Sequence, residues 1–133
     1  MKKVVLVLLL VFLLVSCVTT KSPSPQEKYA SLIEKYIGEC ELFIKEGGYI
    51  HIYQTSEYPG LAVQQYIYKF REDFQSIRGY YMNATYYYSP AVANEMISIY
   101  QQNEERIARA YNSTEESLAV YQLYVSGLQY DGK

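Results

Sequence analysis

Apolar residues recur at helical spacing along most of the chain. Over residues 25–46 they fall three and four positions apart, which places them on one face of a helix. Ser24 and Glu27 have the form of a capping box at its start, with Pro25 at the first helical position. A pair of glycines at 47 and 48 ends the pattern. These signals predict a first helix over residues 25–46.

The same periodicity predicts three further helices, at residues 60–86, 90–111 and 114–130. Ser89-Pro90 marks the start of the second of these, and Ser113-Thr114-Glu115-Glu116 has the form of a capping box that starts the third. The connections are short, so neighbouring helices are expected to run antiparallel. The predicted fold class is all-α: a small antiparallel bundle of about four helices, with residues 25–133 as one domain.

The stretch over residues 48–58 is ambiguous. Tyr49 to Tyr53 alternates in the manner of a half-buried strand and is rich in strand-forming residues. No second segment of this kind exists to pair with it. An extended loop or a short helical turn is therefore expected there, rather than a lone strand.

The last predicted helix carries apolar side chains on nearly every face. Its main stripe consists of Leu118, Tyr121, Val125 and Leu128. Val120, Leu123 and Tyr124 fall outside that stripe. Such a helix is either enclosed on several sides or offers a surface to a partner.

Charge excludes some classes of partner. The chain has 12 basic and 14 acidic residues, and without Lys2 and Lys3 of the first segment 10 basic residues remain, a net charge of −4. A mildly acidic domain lacks the basic surface that nucleic-acid binding needs, so no nucleic-acid partner is expected. It also lacks a basic cluster for anionic lipids, and any membrane attachment must have another source.

The first residues supply such a source. Lys2 and Lys3 precede an unbroken apolar run from Val4 to Val15, which has the length of a signal-peptide core and is short for a membrane span. Taken alone, this pattern also fits an ordinary signal peptide or an uncleaved anchor helix.

The segment Leu14-Val15-Ser16-Cys17 resembles the lipobox of bacterial lipoproteins. The resemblance implies that Leu14, Val15 and Ser16 are recognised by a signal peptidase, that residues 1–16 are removed, and that Cys17 receives a diacylglyceryl group. Two or more acyl chains hold a protein stably at a membrane. Residues 17–24 would then form the lipidated tether.

The resemblance also bears on location. It implies a lipid-anchored protein of the cell envelope. Val18 stands where an aspartate retains some lipoproteins at the inner membrane. Its presence favours the outer membrane, facing the periplasm, if the organism has one.

The residues suggest no catalytic centre. His51 is the only histidine, and no phosphate-binding glycine loop, nucleophile elbow or paired-cysteine motif occurs. We therefore expect no cofactor, no metal and no enzyme activity; an enzyme that uses carboxylates alone is a distant alternative. Cys40 falls within the apolar stripe of the first helix, where a buried, unreactive thiol is expected.

The surplus of tyrosine points to a surface. The chain has 17 tyrosines and no tryptophan. Tyrosine is enriched at interfaces because it combines a large apolar ring with a polar tip. Several tyrosines lie off the helical stripes, and the three consecutive ones cannot all face inward. The candidate contact residues are Tyr68, Tyr80, Tyr86, Tyr87, Tyr88, Tyr124 and the loop residue His51.

Two functions follow as hypotheses. The first is a non-enzymatic, membrane-anchored helical module that binds or scaffolds an envelope protein. The second is a lipoprotein that recognises a glycan or peptidoglycan fragment through its tyrosines and His51. A tyrosine surplus that merely replaces phenylalanine and leucine would favour neither, and the pattern leaves the oligomeric state open.

Overall fold

The structure, a computed structural model, describes residues 22–131, with side chains to residue 128. It contains four helices: α1 (Pro25–Lys45), α2 (Gly48–Thr55), α3 (Pro59–Tyr87) and α4 (Pro90–Asp131). No strand occurs within this range, and the all-α prediction is confirmed. The predicted signal peptide, the lipobox and Cys17 lie outside the described residues.

Local capping sets the start of α1. The Ser24 hydroxyl accepts a hydrogen bond from the Glu27 backbone N–H at 3.2 Å, and Glu27 accepts one from the Ser24 N–H at 3.3 Å. This is the predicted capping box, with Pro25 in the first turn. The helix ends at Lys45, one residue before the predicted end.

Two glycines separate α1 from α2. Gly47 and Gly48 have φ angles of 115° and 64°, a region that glycine enters without steric penalty. Gly48 is also buried, and a Cβ on it would overlap the Ser117 hydroxyl of α4. The ambiguous stretch after the glycines is thus a short helix, which was one of the two expected forms. The Tyr49 N–H donates to Ser117 Oγ at 3.1 Å and fixes this helix on α4.

The prediction of a helix break near residue 113 was wrong. α4 runs without interruption for 42 residues. Thr114 is buried, and its hydroxyl donates to the Tyr111 carbonyl of the same helix at 2.7 Å instead of capping a new one. The buried face also continues across the supposed break, through Ile107, Ala110, Thr114 and Leu118. The described residues still contain four helices, because the short helix α2 was not counted among the predicted four and the last two predicted helices are one, α4.

Contacts between side chains define the topology. The pairs Glu34–Arg106 and Gln26–Glu95 show that α1 and α4 run parallel. α3 is antiparallel to both: Tyr29 donates to the Ile77 carbonyl, Phe74 stacks on Tyr111, and Tyr81 stacks on Tyr100. α2 continues the direction of α1 along α4. The bundle therefore has three columns: α1 continued by α2, α4 running in the same direction, and α3 running in the opposite direction.

Aromatic rings fill much of the core. Phe43 packs against Tyr49, Tyr66 and Phe70, with ring centroids 4.7, 5.5 and 4.8 Å apart. The Phe74–Tyr111 and Tyr81–Tyr100 rings stack at 4.0 and 4.1 Å. A large share of the tyrosine surplus is accordingly structural.

The bundle has two ends, which we name by the positions of the helix termini. The proximal end is where α1 and α4 begin and α3 ends. The distal end is where α2 and α4 end and α3 begins. The 29 residues of α3 separate the two ends by ~43 Å at 1.5 Å per residue.

Candidate functional site

The predicted contact residues do not form one site. Tyr80, Tyr86, Tyr87 and Tyr88 lie at the proximal end. His51 and Tyr124 lie at the distal end, on α2 and α4. Tyr68 stands apart on the outer face of α3, 65% exposed. A single pocket that combines His51 with the consecutive tyrosines is therefore not present.

The proximal end presents aromatic rings to solvent. Tyr86 and Tyr87 occupy the last turn of α3 and are 85% and 75% exposed. Their rings meet edge to face, with centroids 5.5 Å apart. Tyr88 is half-buried, and its extended backbone leads the chain towards α4. The prediction that at least one of these three rings faces outward is confirmed.

Tyr80 lies between two clefts at this end. It is 45% exposed, and its ring meets Tyr29 of α1 edge to face at 5.9 Å. One cleft, of about 300 Å³, lies between Tyr80, Tyr88 and the first turns of α1. The other, of about 510 Å³, also involves Tyr87 and Asn83. Both clefts combine aromatic walls with polar groups: Lys28 lines the first, and Ser76 and Asn83 line the second.

One long segment at each end carries no charge. Residues 79–94, which form most of the proximal end, contain no Asp, Glu, Lys or Arg, and neither do residues 117–130 at the distal end. The interhelical ion pairs lie between these segments along the bundle: Lys69–Glu39, Arg106–Glu34 and Arg71–Glu115. The interhelical ion pairs are therefore concentrated in the middle of the molecule, while Glu27, Lys28 and Glu95 lie at the proximal end and Glu57 lies at the distal end.

Aromatic contacts also organise the distal end. Tyr53 of α2 packs against Tyr121 and Tyr124, with centroids 5.7 and 6.1 Å apart. Gln54 Nε2 donates to the Tyr124 hydroxyl at 3.4 Å. His51 is half-buried on the same helix, and its carbonyl accepts a hydrogen bond from Thr55. These contacts hold the inner face of α4 against α2.

The outer face of α4 at the distal end is apolar and uncovered. Val120 and Leu123, one turn apart on this face, are 54% and 74% exposed, and Leu128, about 140° around the helix from Leu123, is 45% exposed. The sequence placed Val120 and Leu123 outside the main stripe, as observed, but placed Leu128 within it. The exposure of Leu128 corrects that expectation: it lies beyond Tyr124, the last α4 residue with an aromatic or side-chain hydrogen-bond contact to α2.

Two apolar residues that sequence analysis missed lie at the same end. Tyr58 and Leu61, where α3 begins, are 68% and 61% exposed. Leu61 falls on the side of α3 opposite to its buried stripe, seven residues before Tyr68. The sequence could have indicated Leu61, because a spacing of seven residues places it on the same helix face as Tyr68.

A groove between α1 and α4 was also missed. It encloses about 400 Å³, with Arg106 and Arg109 on one wall and Cys40 at its floor. Arg106 donates to both carboxylate oxygens of Glu34, at 2.6 and 3.0 Å, and this guanidinium lowers the pKa of Glu34. Asn103, on the same helix as Arg106, supports the pair by accepting a hydrogen bond from Arg106 at 2.8 Å.

Carboxylates at the middle of the bundle serve in ion pairs. Arg71 donates to both oxygens of Glu115, at 2.8 and 2.9 Å, and this hydrogen-bonded pair lowers the pKa of Glu115. Glu39 pairs with Lys69. Glu115 does not stand in a first helical turn, as the expected cap implied; it holds α4 to α3.

Cys40 is a structural residue. It is 1% exposed, and burial raises the pKa of its thiol to about 11. A thiol with that pKa is protonated near neutral pH and is a poor nucleophile. The expectation of a small buried side chain is confirmed.

The described residues contain neither a metal site nor a membrane span. Within residues 22–131, no cluster of three His, Cys, Asp or Glu side chains is arranged to hold a metal ion. None of the helices in that range combines the length and apolar character that a membrane span requires. Comparison of the chain with protein-family models, with curated proteins and with solved structures found no match.

Proposed function

We propose that this protein is a lipid-anchored, non-enzymatic interaction module of the cell envelope, which binds an envelope protein through its distal end. The observation that carries the proposal is the uncovered apolar face of α4, where Val120 and Leu123 lie one turn apart, together with Leu128, which is exposed on the neighbouring side of the helix. Single exposed apolar residues are ordinary on protein surfaces, whereas a contiguous group indicates an interaction site. Here three occur within the last turns of one helix.

The chemistry of this surface supports a protein partner. Interface centres are depleted in charge and enriched in aromatic residues. Residues 117–130 carry no charge, and Tyr124 lies beside the apolar face. Gly127 follows on that face, with nothing within 4 Å of the position of a Cβ. A partner helix could therefore approach the α4 backbone closely along Val120, Leu123 and Gly127.

The anchor is the second part of the proposal. The lipobox-like segment places a lipid on Cys17, which supplies the membrane affinity that a domain of net charge −4 lacks. Mass spectrometry of the mature protein from its native membrane should find an amino-terminal residue 17 bearing a thioether-linked diacylglyceryl group. An unmodified Cys17 thiol would contradict the anchor.

Photocrosslinking in living cells tests the distal surface. A photoreactive residue at position 123 should give one discrete adduct, and the same residue at Lys35, which is exposed on α1, should not. With the probe moved to Val120, L123E should reduce the adduct by about tenfold because it places a charge in an apolar contact.

Gln122 provides the matched control. It is exposed on the same turns of α4 but lies about 100° around the helix from Leu123 and about 160° from Val120, so Q122E adds the same charge outside the proposed interface. It should leave the adduct unchanged. Circular dichroism verifies that both variants fold. Equal adducts in L123E and Q122E, or identical adducts from positions 35 and 123, would refute the distal interface.

A glycan-binding function is the alternative. The cleft of about 510 Å³ lined by Tyr80, Tyr87, Tyr88 and Asn83 supports it, because aromatic rings stack on sugars and an amide hydrogen-bonds to them. His51, at the other end of the molecule, does not belong to such a site. Saturable changes in tyrosine fluorescence with peptidoglycan fragments would favour this alternative, and a flat titration would count against it.

A further inference from the structure

The exposed rings of the proximal end lie on the terminal turns of α3. Tyr86 is 85% exposed, and Met82, four residues earlier on the same side of the helix, is 68% exposed. Tyr87 is 75% exposed and contacts Tyr86 edge to face. These three side chains form an apolar tip, which we call the tyrosine tip.

The course of the chain places the tyrosine tip near the proposed anchor. α1 begins at this same end, where Pro25 and Tyr80 line one cleft. Residues 18–24 separate Cys17 from Pro25, and seven extended residues span at most ~25 Å. This reach is shorter than the ~43 Å length of α3, at 1.5 Å per residue. A lipid on Cys17 therefore holds the proximal end near the bilayer.

The chemistry of the tip suits a headgroup layer. Tyrosine concentrates at the membrane–water interface because its ring enters the apolar boundary while its hydroxyl bonds to polar groups. Residues 79–94, which carry the tip, contain no charged side chain; the charges at this end are those of Glu27 and Lys28 in the first turn of α1 and of Glu95 near the start of α4. The nearest charges in sequence are Arg78 and Glu95.

We propose that the tyrosine tip rests in the headgroup region of a phospholipid bilayer and orients the bundle with its distal end away from the membrane. This inference rests on the proposed lipid anchor. The lipid supplies affinity, and the tip supplies orientation. The apolar face at Val120 and Leu123 then stands on the order of 40 Å from the bilayer, the length of α3, within reach of a partner.

Lipid quenching of a fluorophore tests the orientation. The full-length lipidated protein, bearing an environment-sensitive dye on M82C, is reconstituted into vesicles of phosphatidylethanolamine and phosphatidylglycerol. Part of the lipid carries a nitroxide near the headgroup. The same dye on E57C, an exposed distal position, is the matched control. The wild-type chain, in which Cys40 is buried, should take up no dye.

The expected result is quenching at position 82 about twofold or more above that at position 57, because only the proximal label lies at the interface. The double variant Y86S/Y87S should lower the quenching at position 82 while the protein stays bound to the vesicles. Circular dichroism verifies the fold of this variant, whose two changes lie at exposed positions.

The other outcomes separate the two proposals. Equal quenching at positions 82 and 57 in a vesicle-bound protein would overturn the tyrosine tip and leave the anchor standing. Stronger quenching at position 57 than at position 82 would also overturn the tyrosine tip and leave the anchor standing. The same holds if Y86S/Y87S does not change the quenching at position 82. An unmodified Cys17 together with no vesicle binding would overturn the anchor and the inference with it.

Discussion

Tyr29 and Tyr36 lie two turns apart on α1, and both are buried, but their hydroxyls differ. The Tyr29 hydroxyl donates to the Ile77 carbonyl of α3 at 2.7 Å. The Tyr36 hydroxyl has no hydrogen bond of ordinary geometry within the described residues, and its polar neighbour, the Cys40 thiol, is a weak hydrogen-bonding group. Both hydroxyls therefore lose their hydration on folding, but only that of Tyr29 gains a good hydrogen bond in exchange.

Phenylalanine at these two positions should have opposite effects. Y29F should lower the free energy of unfolding by about 1 kcal/mol, since it removes a buried hydrogen bond. Y36F should leave stability unchanged or raise it by about 1 kcal/mol, because it removes a buried hydroxyl without a good partner. Urea unfolding followed by circular dichroism measures both. A Y36F loss as large as that of Y29F would show that the Cys40 contact is a full hydrogen bond.

At the scale of elements, the continuity of α4 decides the architecture. The helix supplies buried residues along its length, and the segment expected to start a new helix lies inside it. Glu116 would be in a first turn if a helix began at residue 113. In the continuous helix it is an interior and exposed position.

Proline at Glu116 distinguishes these arrangements. E116P should lower the free energy of unfolding by about 3 kcal/mol or more, because interior proline removes a backbone hydrogen bond and clashes with the preceding turn. E116A, the matched control, should have an effect below about 0.5 kcal/mol at this exposed position. Equal urea midpoints for E116P and E116A would mean that a helix starts near residue 113.

Local signals predicted some elements and failed at others for physical reasons. The start of α1 depends on Ser24, Pro25 and Glu27 alone, so the sequence places it correctly. The sequence at residues 113–116 also fits a cap, but burial of Thr114 between neighbouring buried turns favours a continuous helix. Packing against α4 likewise decides the form of α2, through Tyr49 and Ser117. Those contacts join residues 68 apart and leave no local trace.

At the scale of the molecule, buried phenols and one thiol couple stability to alkaline pH. Burial raises the pKa values of Tyr29, Tyr36 and Tyr49 and raises that of Cys40 to about 11. In the unfolded chain these groups ionise near their ordinary values, about 8.5 for cysteine and about 10 for tyrosine. The folded state therefore keeps protons that the unfolded state releases. This contribution to the free energy of unfolding is fully present below the unfolded-state pKa values and is lost as pH rises through the folded-state pKa values.

The urea midpoint should accordingly fall between pH 8 and about pH 10.5, in the direction that proton linkage requires. Y36F removes one of the buried phenols and should reduce this fall. Unfolding is followed by the ellipticity of the helices, a signal that can still be read when the tyrosine phenols ionise. A midpoint that is constant over this range would contradict the raised pKa values.

The candidate surfaces were only partly accessible from the sequence. Helical periodicity places Tyr68, Val120 and Leu123 off the buried stripes, and all three are exposed. Periodicity does not show which exposed residues meet at the same end of the molecule. That grouping depends on α1 running parallel to α4, as the pair Glu34–Arg106 demonstrates. The same topology places His51 at the distal end of the molecule and Tyr86 and Tyr87 at the proximal end.

The position of α4 after the other three helices has a consequence for folding during synthesis. This helix packs against each of the other three, and its partners on α1 lie about 70 residues earlier in the sequence, as in Gln26–Glu95 and Glu34–Arg106. A nascent polypeptide that stops before Pro90 lacks one wall of the whole hydrophobic interior. The bundle can therefore form only after α4 has been synthesised, and until then the apolar faces of α1 and α3 lack the helix that buries them.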